Sequence, residues 1–269
     1  MSRSRVTHAV VSLPALDLRP EPRHAAELAS QLLMGEVVRV LARSPEPGWV
    51  RVRNLSDGYE GWVRSWGLVE TDADRAARWE SRARAVIAVP MERVLTGRGS
   101  GAQVSPVFLG GRVIAGRAVR GFRPVELPDG RRGHLPVGAF AGRRPPTIEE
   151  RVLSLLGTPY LWGGRTPAGY DCSAFVQQVL LEQGLPLPRD AKEQHAVCRP
   201  LPKGDEPEVG DLIFFRRPGE KPSHVGLSLG GHYYAHSRGW VRIASLETSN
   251  PLCDVDLVAQ SMGWHRILA

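Results

Sequence analysis

The sequence predicts an α+β domain at the C-terminal end of the chain, preceded by two small all-β units. Apolar and polar residues alternate with a period of two from about residue 6 to 69 and again from 85 to 140, which is typical of half-buried strands. A segment rich in arginine and proline, 143–146, ends this pattern. Beyond it, apolar residues first recur at helical spacing, and a run of strands then starts near Gly210.

The first all-β unit is predicted over residues 1–71. Its strand-like segments are GEVVRVLAR, WVRVRN and GYEGWVRSWGLV. Proline, glycine, asparagine and aspartate cluster between these segments at 44–48 and 54–58, where they favour turns. The polar segment 71–84 is predicted to be a linker or a short helix.

The second all-β unit is predicted over residues 72–145, including that linker. It repeats the style of the first with VIAVPMERVL, FLGGRVIAG and GFRPVELPDGRRGHLPVGAF. The turn Pro128-Asp129-Gly130 lies where a hairpin needs one. We expect each unit to be a barrel of five or six strands.

The third domain is predicted over residues 146–269. Thr147 and Glu150 have the spacing of a capping box, which predicts a helix that Gly157 and Pro159 end. The run SAFVQQVLLEQG predicts a second helix, and Asp190 with Glu193 has the spacing of a capping signal at the start of another. The strands GDLIFF, HVGLSLGG, HYYAHS, GWVRIA and GWHRIL follow.

Composition excludes several classes of protein. Of the 269 residues, 42% are hydrophobic and 23% are charged, as in ordinary soluble proteins, and no apolar run approaches the ~20 residues of a membrane helix. We therefore expect no membrane partner. The N-terminal segment lacks the pattern of a secretory signal, so either the protein stays in the cytosol or a leader has been removed; we favour the cytosol.

Charge and cysteine content make other partners and cofactors unexpected. The formal net charge is +7, but the arginines are scattered along the chain instead of forming a basic stripe, so no nucleic-acid partner is expected. The three cysteines are widely spaced and form no C-x-x-C pair, which is a poor basis for disulfides or a zinc site. We expect no metal and no organic cofactor.

Cys172 is the candidate nucleophile. It lies between a glycine-rich turn, WGGRTPAGYD, and a predicted helix. Unpaired N–H groups at a helix N-terminus stabilise a thiolate, which predicts a pKa below the usual value of about 8.5. The flanking Asp171 and Ser173 are polar, which is unusual around a structural core cysteine.

Two of the eight histidines are candidate partners for that thiol. His224 opens the strand HVGLSL, and His236 follows on the next predicted strand. Histidines on adjacent antiparallel strands can lie side by side, so that one acts as a base toward sulfur and the other orients it by a hydrogen bond.

The motifs GTPYLWGGRTPAGYDCSAFVQQVL, LPRDAKEQ, VGDLIFF and SHVGLSLGGHYYAHS, in this order, closely resemble the NlpC family of bacterial cell-wall cysteine peptidases. The resemblance implies a papain-like α+β core with the cysteine at a helix N-terminus and the histidines on the sheet. It further implies that Cys172 is the nucleophile, His224 the general base and His236 the residue that orients it.

The resemblance extends upstream, where SQLLMGEVVRV and DGYEGWV look like the SH3-like barrel that precedes the catalytic domain in murein-recycling members of the family. It implies that residues of this barrel close the substrate site. Tyr59 and Glu36 match that pattern, and Asp171 corresponds to a carboxylate that holds the substrate's free amino terminus. Trp162 and Ser173 are also assigned to substrate binding. Packing within the barrel remains the alternative for Tyr59, and loop packing for Trp162.

Arg189 has two interpretations: a clamp for the substrate's α-carboxylate, or a structural role where the next helix begins. The function implied is hydrolysis of the γ-D-glutamyl-L-diamino acid bond in free murein peptides that begin with L-alanine. Two alternatives stay open, a secreted hydrolase of intact peptidoglycan anchored by the SH3-like units and a non-catalytic peptide-binding protein. The sequence leaves the oligomeric state and the preferred diamino acid unknown.

Overall fold

The structure of the chain, a computed structural model, describes residues 6–142, 144–202 and 204–268. It divides into two units, Met1–Arg144 and Pro145–Ala269. The outer ends of the first and third predicted domains, Met1 and Ala269, lie outside the described residues, as does Arg143 of the predicted boundary segment.

The first part of the N-terminal unit is a five-stranded antiparallel sheet with a separate two-stranded ribbon. The strands are β1 (His8–Val11), β2 (Ala15–Leu18), β3 (Ser30–Leu33), β4 (Val37–Arg43), β5 (Trp49–Asn54), β6 (Glu60–Arg64) and β7 (Leu68–Thr71). The sheet order is β6-β5-β4-β1-β7, and β2 pairs with β3. The three segments predicted as strands form β4 to β7. Strands β1 to β3, with four residues each, lie outside these predicted segments.

The second part of this unit is a six-stranded antiparallel sheet. Its elements are α1 (Ala73–Arg82), β8 (Ala85–Val86), β9 (Met91–Leu95), β10 (Gln103–Phe108), β11 (Arg112–Ala115), β12 (Phe122–Glu126) and β13 (Arg132–Pro136). The order is β10-β9-β13-β12-β11-β8. The polar segment 71–84 thus contains a helix, which Asp72 caps by accepting the N–H of Arg75. The predicted turn joins β12 to β13, where Gly130 has a φ of +84°.

Each of the two large sheets of the N-terminal unit has a hydrophobic core among the described residues. Residues such as Val11, Val38 and Val52 fill the first, and Val94, Val113 and Leu135 belong to the second. Met34 precedes β4, yet it is fully buried in the second core. Its carbonyl oxygen also accepts the N–H of Arg112 at 2.8 Å. The two sheets are therefore in direct contact within one unit.

The C-terminal unit consists of short helices and a six-stranded antiparallel sheet, which is the α+β arrangement predicted. Its elements are α2 (Ile148–Leu155), β14 (Arg165–Thr166), β15 (Gly169–Tyr170), α3 (Cys172–Glu182), α4 (Ala191–Ala196), β16 (Cys198–Pro200), β17 (Leu212–Phe215), β18 (His224–Ser228), β19 (Tyr233–Arg238), β20 (Trp240–Ser245), α5 (Val255–Val258) and β21 (Ser261–Ile267). The sheet order is β16-β21-β17-β18-β19-β20.

Helix boundaries in this unit follow local capping rules with one exception. Thr147 and Glu150 form the predicted capping box at α2. Helix α3 is buried on every side from Cys172 to Leu180, so even Gln177 is inside, where its side chain donates to the carbonyl of Leu187 at 2.9 Å. At α4, Asp190 occupies the N-cap position, but its side chain makes no capping hydrogen bond. None of the helices in the described ranges has the length and apolar character needed to span a bilayer.

Gly226 in β18 gives a test of how tightly the sheet packs. A Cβ atom added there would lie 2.7 Å from Cδ2 of Tyr234 and 3.1 Å from Cγ2 of Ile213, and both side chains are fully buried. Gly226 therefore makes room for the Tyr234 ring. We expect Gly226→Ala to lower the free energy of unfolding by about 1–3 kcal/mol, measured by urea denaturation.

The matched control is Gly138→Ala, because a Cβ at that position meets no atom within 4 Å. This variant should change the free energy of unfolding by less than about 0.5 kcal/mol. A Gly226→Ala protein as stable as the wild type would contradict the packing described around Tyr234.

Candidate active site

Cys172 is the first residue of α3, so its side chain lies at the helix end where backbone N–H groups are unpaired. The preceding residue, Asp171, is the N-cap and accepts the N–H of Ala174 at 2.8 Å. The Sγ atom lies 4.0 Å from the carbonyl oxygen of Ser223, which directly precedes β18. Helix α3 therefore holds the thiol against the start of the strand that carries His224.

The pKa of the Cys172 thiol is raised to about 12, first because of burial and second because of the negative charge of Asp171. The backbone N–H groups of Val225 and Ser173 and the charge of Arg189 lower it, but by less. The depressed pKa expected from the helix N-terminus is thus wrong for the resting thiol. The side chain is only 7% exposed, so little water is left to solvate a thiolate.

His224 and His236 lie side by side on neighbouring strands. The Nε2 atom of His224 is 2.9 Å from Nδ1 of His236. His224 is half-buried at the first position of β18, whereas His236 is fully buried inside β19. Because Nε2 of His224 is engaged, its Nδ1 is the ring nitrogen left to exchange a proton with sulfur.

Both imidazoles are neutral at neutral pH. Burial is the main cause that lowers the pKa of His224 to about 4, and the positive charge of Arg238 adds to it. The pKa of His236 is lowered to about 2, again first by burial and then by His224. The resting pair is therefore an uncharged thiol and an uncharged imidazole.

This arrangement can form a thiolate by proton transfer. If a proton passes from Sγ of Cys172 to Nδ1 of His224, a negative and a positive charge arise together. Their mutual attraction in a poorly hydrated site offsets part of the cost of burying each charge. The geometry therefore supports a base-assisted thiol nucleophile rather than a permanently ionised one.

Asp171 is fully engaged by neighbouring groups. Its Oδ1 accepts hydrogen bonds from the Ala174 N–H at 2.8 Å, the Ser173 hydroxyl at 3.2 Å and Arg189 at 3.0 Å. Its Oδ2 accepts from the Gly163 N–H at 3.0 Å and from Arg189 at 2.6 Å. Of the two interpretations of Arg189, these contacts support the structural one, because its side chain is 1% exposed and pairs with Asp171. Substrate binding by Asp171 stays a prediction.

The other substrate-binding residues predicted in this unit differ in exposure. Trp162 is 61% exposed in the loop before β14, so its indole is accessible to a ligand. Ser173 is buried, and its hydroxyl donates to Asp171 and accepts from Arg189 at 3.0 Å. Trp162 is therefore accessible to a ligand, whereas Ser173 supports the ion pair between Asp171 and Arg189.

Glu36 and Tyr59 belong to the N-terminal unit. The carboxylate of Glu36 is buried and accepts the N–H of Leu33 at 2.8 Å and the hydroxyl of Ser56 at 3.3 Å. Tyr59 is partly buried and packs against the first core, while its N–H donates to Asp57 at 3.0 Å. Both residues thus have structural contacts of their own, and their part in substrate binding stays a prediction.

Tyr160 is a residue that the motif analysis did not single out. Its pKa is raised, first by burial and then by the electrostatic influence of Cys172 and Asp171, so its hydroxyl stays protonated. Its backbone N–H donates to the carbonyl of Gly239 at 2.8 Å. A protonated phenol beside a nucleophile can donate a hydrogen bond to a developing oxyanion. Its place within the GTPYLWGG motif was the available signal.

No group of three or more histidine, cysteine or acidic side chains suited to hold a metal occurs within the part of the chain that the structure describes. Cys198 and Cys253 are free, as is Cys172.

Two family models match this chain. The NlpC/P60 family matches residues 157–254, and a domain described as bacterial dipeptidyl-peptidase Sh3 matches residues 18–68. These matches assign an SH3-like all-β region to the N-terminal unit and a papain-like NlpC/P60 fold to the C-terminal unit.

Two bacterial proteins are similar over most of the chain. The gamma-D-glutamyl-L-lysine dipeptidyl-peptidase of Bacillus subtilis is 30% identical, over 78% of this chain and 72% of its own length. Dipeptidyl-peptidase 6 of Lysinibacillus sphaericus is 28% identical, over 93% of this chain and 96% of its own length.

Solved structures agree on the fold. The crystal structure of an NlpC/P60 family protein from Bacillus cereus has a TM-score of 0.81 and 20% identity, and the match covers 98% of this chain and 100% of that chain. An NlpC/P60 endopeptidase from Photobacterium damselae has a TM-score of 0.69 and 14% identity, over 98% of this chain and 71% of that chain.

Arg189→Met should destabilise the protein strongly, because it leaves the buried Asp171 carboxylate without its charged partner. We expect the free energy of unfolding to fall by about 3–5 kcal/mol in urea denaturation. The double variant with Asp171→Asn should recover part of this loss, since it removes the unpaired charge. Lys192→Met is the control: Lys192 is 53% exposed and 3.8 Å from Asp190, and its loss should cost less than about 1 kcal/mol. Equal effects of the two single variants would contradict the role of the buried pair.

Proposed function

This chain belongs to the NlpC/P60 family of cysteine peptidases, and we propose that it hydrolyses the γ-D-glutamyl-L-diamino acid bond of free murein peptides. The observation that carries the proposal is the Cys172–His224–His236 arrangement, with the thiol against the start of β18 and the two imidazoles 2.9 Å apart. Two relatives, the gamma-D-glutamyl-L-lysine dipeptidyl-peptidase and dipeptidyl-peptidase 6, support this substrate class.

In the proposed reaction, Nδ1 of His224 takes the proton from Sγ of Cys172 as sulfur attacks the carbonyl carbon of the γ-glutamyl amide. The oxyanion that forms accepts a hydrogen bond from Tyr160. As the carbon–nitrogen bond breaks, His224 returns the proton to the departing amine of the diamino acid, which leaves a thioester. Water then attacks the thioester with His224 as base. The carboxylic acid product is released, and the proton returns from His224 to sulfur to restore the thiol. His236 holds His224 in orientation throughout.

Cleavage after the second residue releases an L-alanyl-D-glutamate dipeptide, so the enzyme has to recognise a free amino terminus. In this proposal Asp171, Tyr59 and Glu36 provide acidic and polar contacts for that ammonium, and the exposed Trp162 contacts the alanine. The SH3-like region thereby favours free peptides over glycan-linked chains. The proposal includes a cytosolic location, where thiols stay reduced, and the three unpaired cysteines are consistent with it.

The catalytic assignment predicts a graded loss of activity. Cys172→Ser should abolish release of the diamino acid from free L-Ala-γ-D-Glu-diamino acid peptide, because a hydroxyl is a far weaker nucleophile. His224→Ala should lower kcat/KM by about 10²–10⁴, and His236→Ala by less. The double variant Cys198→Ala/Cys253→Ala is the control and should retain wild-type turnover. Activity that persists in Cys172→Ser, or trivial losses at both histidines, would sink the assignment.

The specificity assignment predicts a need for an unblocked N-terminal alanine. Acetylation removes the ammonium charge, so the charge-assisted hydrogen bonds proposed between the amino terminus and these acidic and polar groups are lost, which costs on the order of 1–3 kcal/mol. We therefore expect kcat/KM for the N-acetyl peptide to fall by roughly tenfold to a hundredfold. Intact sacculi, in which the alanine amine is amide-bonded, should not be cleaved.

Tyr59→Phe tests the contribution of the SH3-like region to this discrimination. This variant should reduce the ratio of kcat/KM for the free peptide to kcat/KM for the acetylated peptide, while the free peptide is still cleaved. Tyr233→Phe is the matched control, because the Tyr233 hydroxyl is exposed and contacts Asn250. If the wild type cleaved both peptides equally, or digested sacculi, the secreted-hydrolase alternative would replace the present proposal.

A further inference from the structure

Three charged residues lie beside the histidine pair. Arg242 on β20 is the register partner of His236 on β19, so the two side chains leave the same face of the sheet. The carboxylate of Asp254 is 2.5 Å from Arg242 and also pairs with Arg238. We call Arg238, Asp254 and Arg242 the charge cluster.

The same face of the sheet contains buried polar atoms without a hydrogen-bond partner among the described residues. They are Nε2 of His236, the hydroxyl of Tyr234 and Nε of Arg242. Tyr234 lies two positions before His236 on β19, and their ring centroids are 5.0 Å apart. His236, Tyr234 and Arg242 therefore form one polar patch on the face of the sheet that carries the histidine pair.

The hydrogen bond between the two histidines explains why charge matters there. For Nδ1 of His224 to take a proton, its Nε2 must carry hydrogen and donate to Nδ1 of His236. His236 can accept only while it is neutral, because a protonated imidazole has N–H groups on both nitrogens. A second proton on His236 would therefore break this hydrogen bond, and His224 would no longer be held in the tautomer that can act as a base.

The composition of the cluster fits this requirement. Two guanidinium groups oppose positive charge on His236. The carboxylate of Asp254, whose side chain is 8% exposed, offsets part of their effect. Without Asp254, the arginines would also oppose the imidazolium that His224 has to become during the reaction. The arginines thus favour the neutral form of both imidazoles, and Asp254 offsets part of that effect at His224, which has to become charged during the reaction.

We propose that Arg238, Asp254 and Arg242 are positioning residues that keep His236 a neutral hydrogen-bond acceptor and so keep His224 a competent base. The kinetic part of this inference rests on the proposed function; the state of the imidazoles does not. The electrostatic influences agree in sign: both arginines lower the pKa of His224 and His236, and Asp254 raises that of His224.

Other ionisable groups lie beside the histidine pair or beside the charge cluster. They are Asp171 and Cys172 from the start of α3, Tyr234 from β19, Cys253 beside Asp254, and Asp256 of α5, which is 3.7 Å from Arg238. None of the variants below alters any of these groups.

The test combines two substitutions with opposite expected effects. A neutral base is lost as pH falls through its pKa, so the acidic limb of kcat/KM reports the pKa of His224. Arg242→Met removes a positive charge and should move that limb to higher pH by about half a pH unit to one pH unit. Asp254→Asn keeps the shape and the helix cap but removes the negative charge, so it should move the limb to lower pH. The profiles are measured from pH 3.5 to 8, with circular dichroism at each point to verify folding.

Three further variants make the test specific. Arg242→Lys keeps the charge and should leave the limb near its wild-type position. Arg238→Met, at a side chain that is 43% exposed, should repeat the upward shift if Arg242→Met does not fold. Arg266→Met is the matched control, since it breaks an ion pair to the buried Asp211 at 2.8 Å, and neither Arg266 nor Asp211 is among the charges that act on the two histidines. It should leave the limb unmoved.

Nuclear magnetic resonance titration of the imidazole nitrogens of His224 and His236 gives the same answer without turnover. In the wild type His236 should stay neutral throughout, and Arg242→Met should make both rings easier to protonate. If the wild type cleaved no murein peptide but the titrations shifted as stated, the proposed function would fail and the charge cluster would stand. Shifts in the same direction for Arg242→Met and Asp254→Asn, or an equal shift in Arg266→Met, would overturn the inference.

Discussion

The carboxylate of Asp171 joins three parts of the C-terminal unit. It caps α3 through Ala174, fixes the glycine-rich loop through Gly163, and forms a buried ion pair with Arg189. Because Cys172 follows Asp171 directly, these contacts also fix the position of the thiol. Burial makes the dependence strong, since a carboxylate that loses such a partner has no water to replace it. The position of the nucleophile is therefore set by an ion pair on its neighbour more than by contacts of its own.

Burial also decides the protonation states of the site. The thiol and both imidazoles are uncharged at neutral pH, because a single charge on any one of them would be poorly solvated in this buried site. Proton transfer from Cys172 to His224 creates two charges at once, so the site depends on their closeness. The histidine pair is in turn surrounded by arginines and an aspartate whose charges act in opposite directions. In our proposal, the chemistry of the thiol thus depends on the charge cluster, which acts on it through the two histidines.

The two units contribute differently to the proposed activity. The C-terminal unit contains the thiol, both histidines and the protonated Tyr160. The N-terminal unit contains Tyr59 and Glu36, residues whose observed contacts are structural and whose proposed role is selection of substrate. Its two sheets share contacts through Met34, so the SH3-like region is supported by the second sheet. A change in the second sheet can therefore affect the first one through packing.

The sequence by itself determined the α+β class of the C-terminal unit and most strands of the N-terminal unit, and it singled out Cys172, His224 and His236 as candidate catalytic residues. These follow from local rules and from ordered motifs: alternation gives strands, the Thr147–Glu150 pair caps a helix, and a cysteine after a glycine-rich turn begins the next one. The tertiary structure alone decided the raised pKa of Cys172, the pairing of Arg189 with Asp171, the room that Gly226 leaves for Tyr234, and the charge cluster beside His236. Each of these depends on burial or on partners far apart in the chain, such as Asp171 and Arg189. Local sequence patterns do not predict which distant side chains come into contact or how much water remains around them.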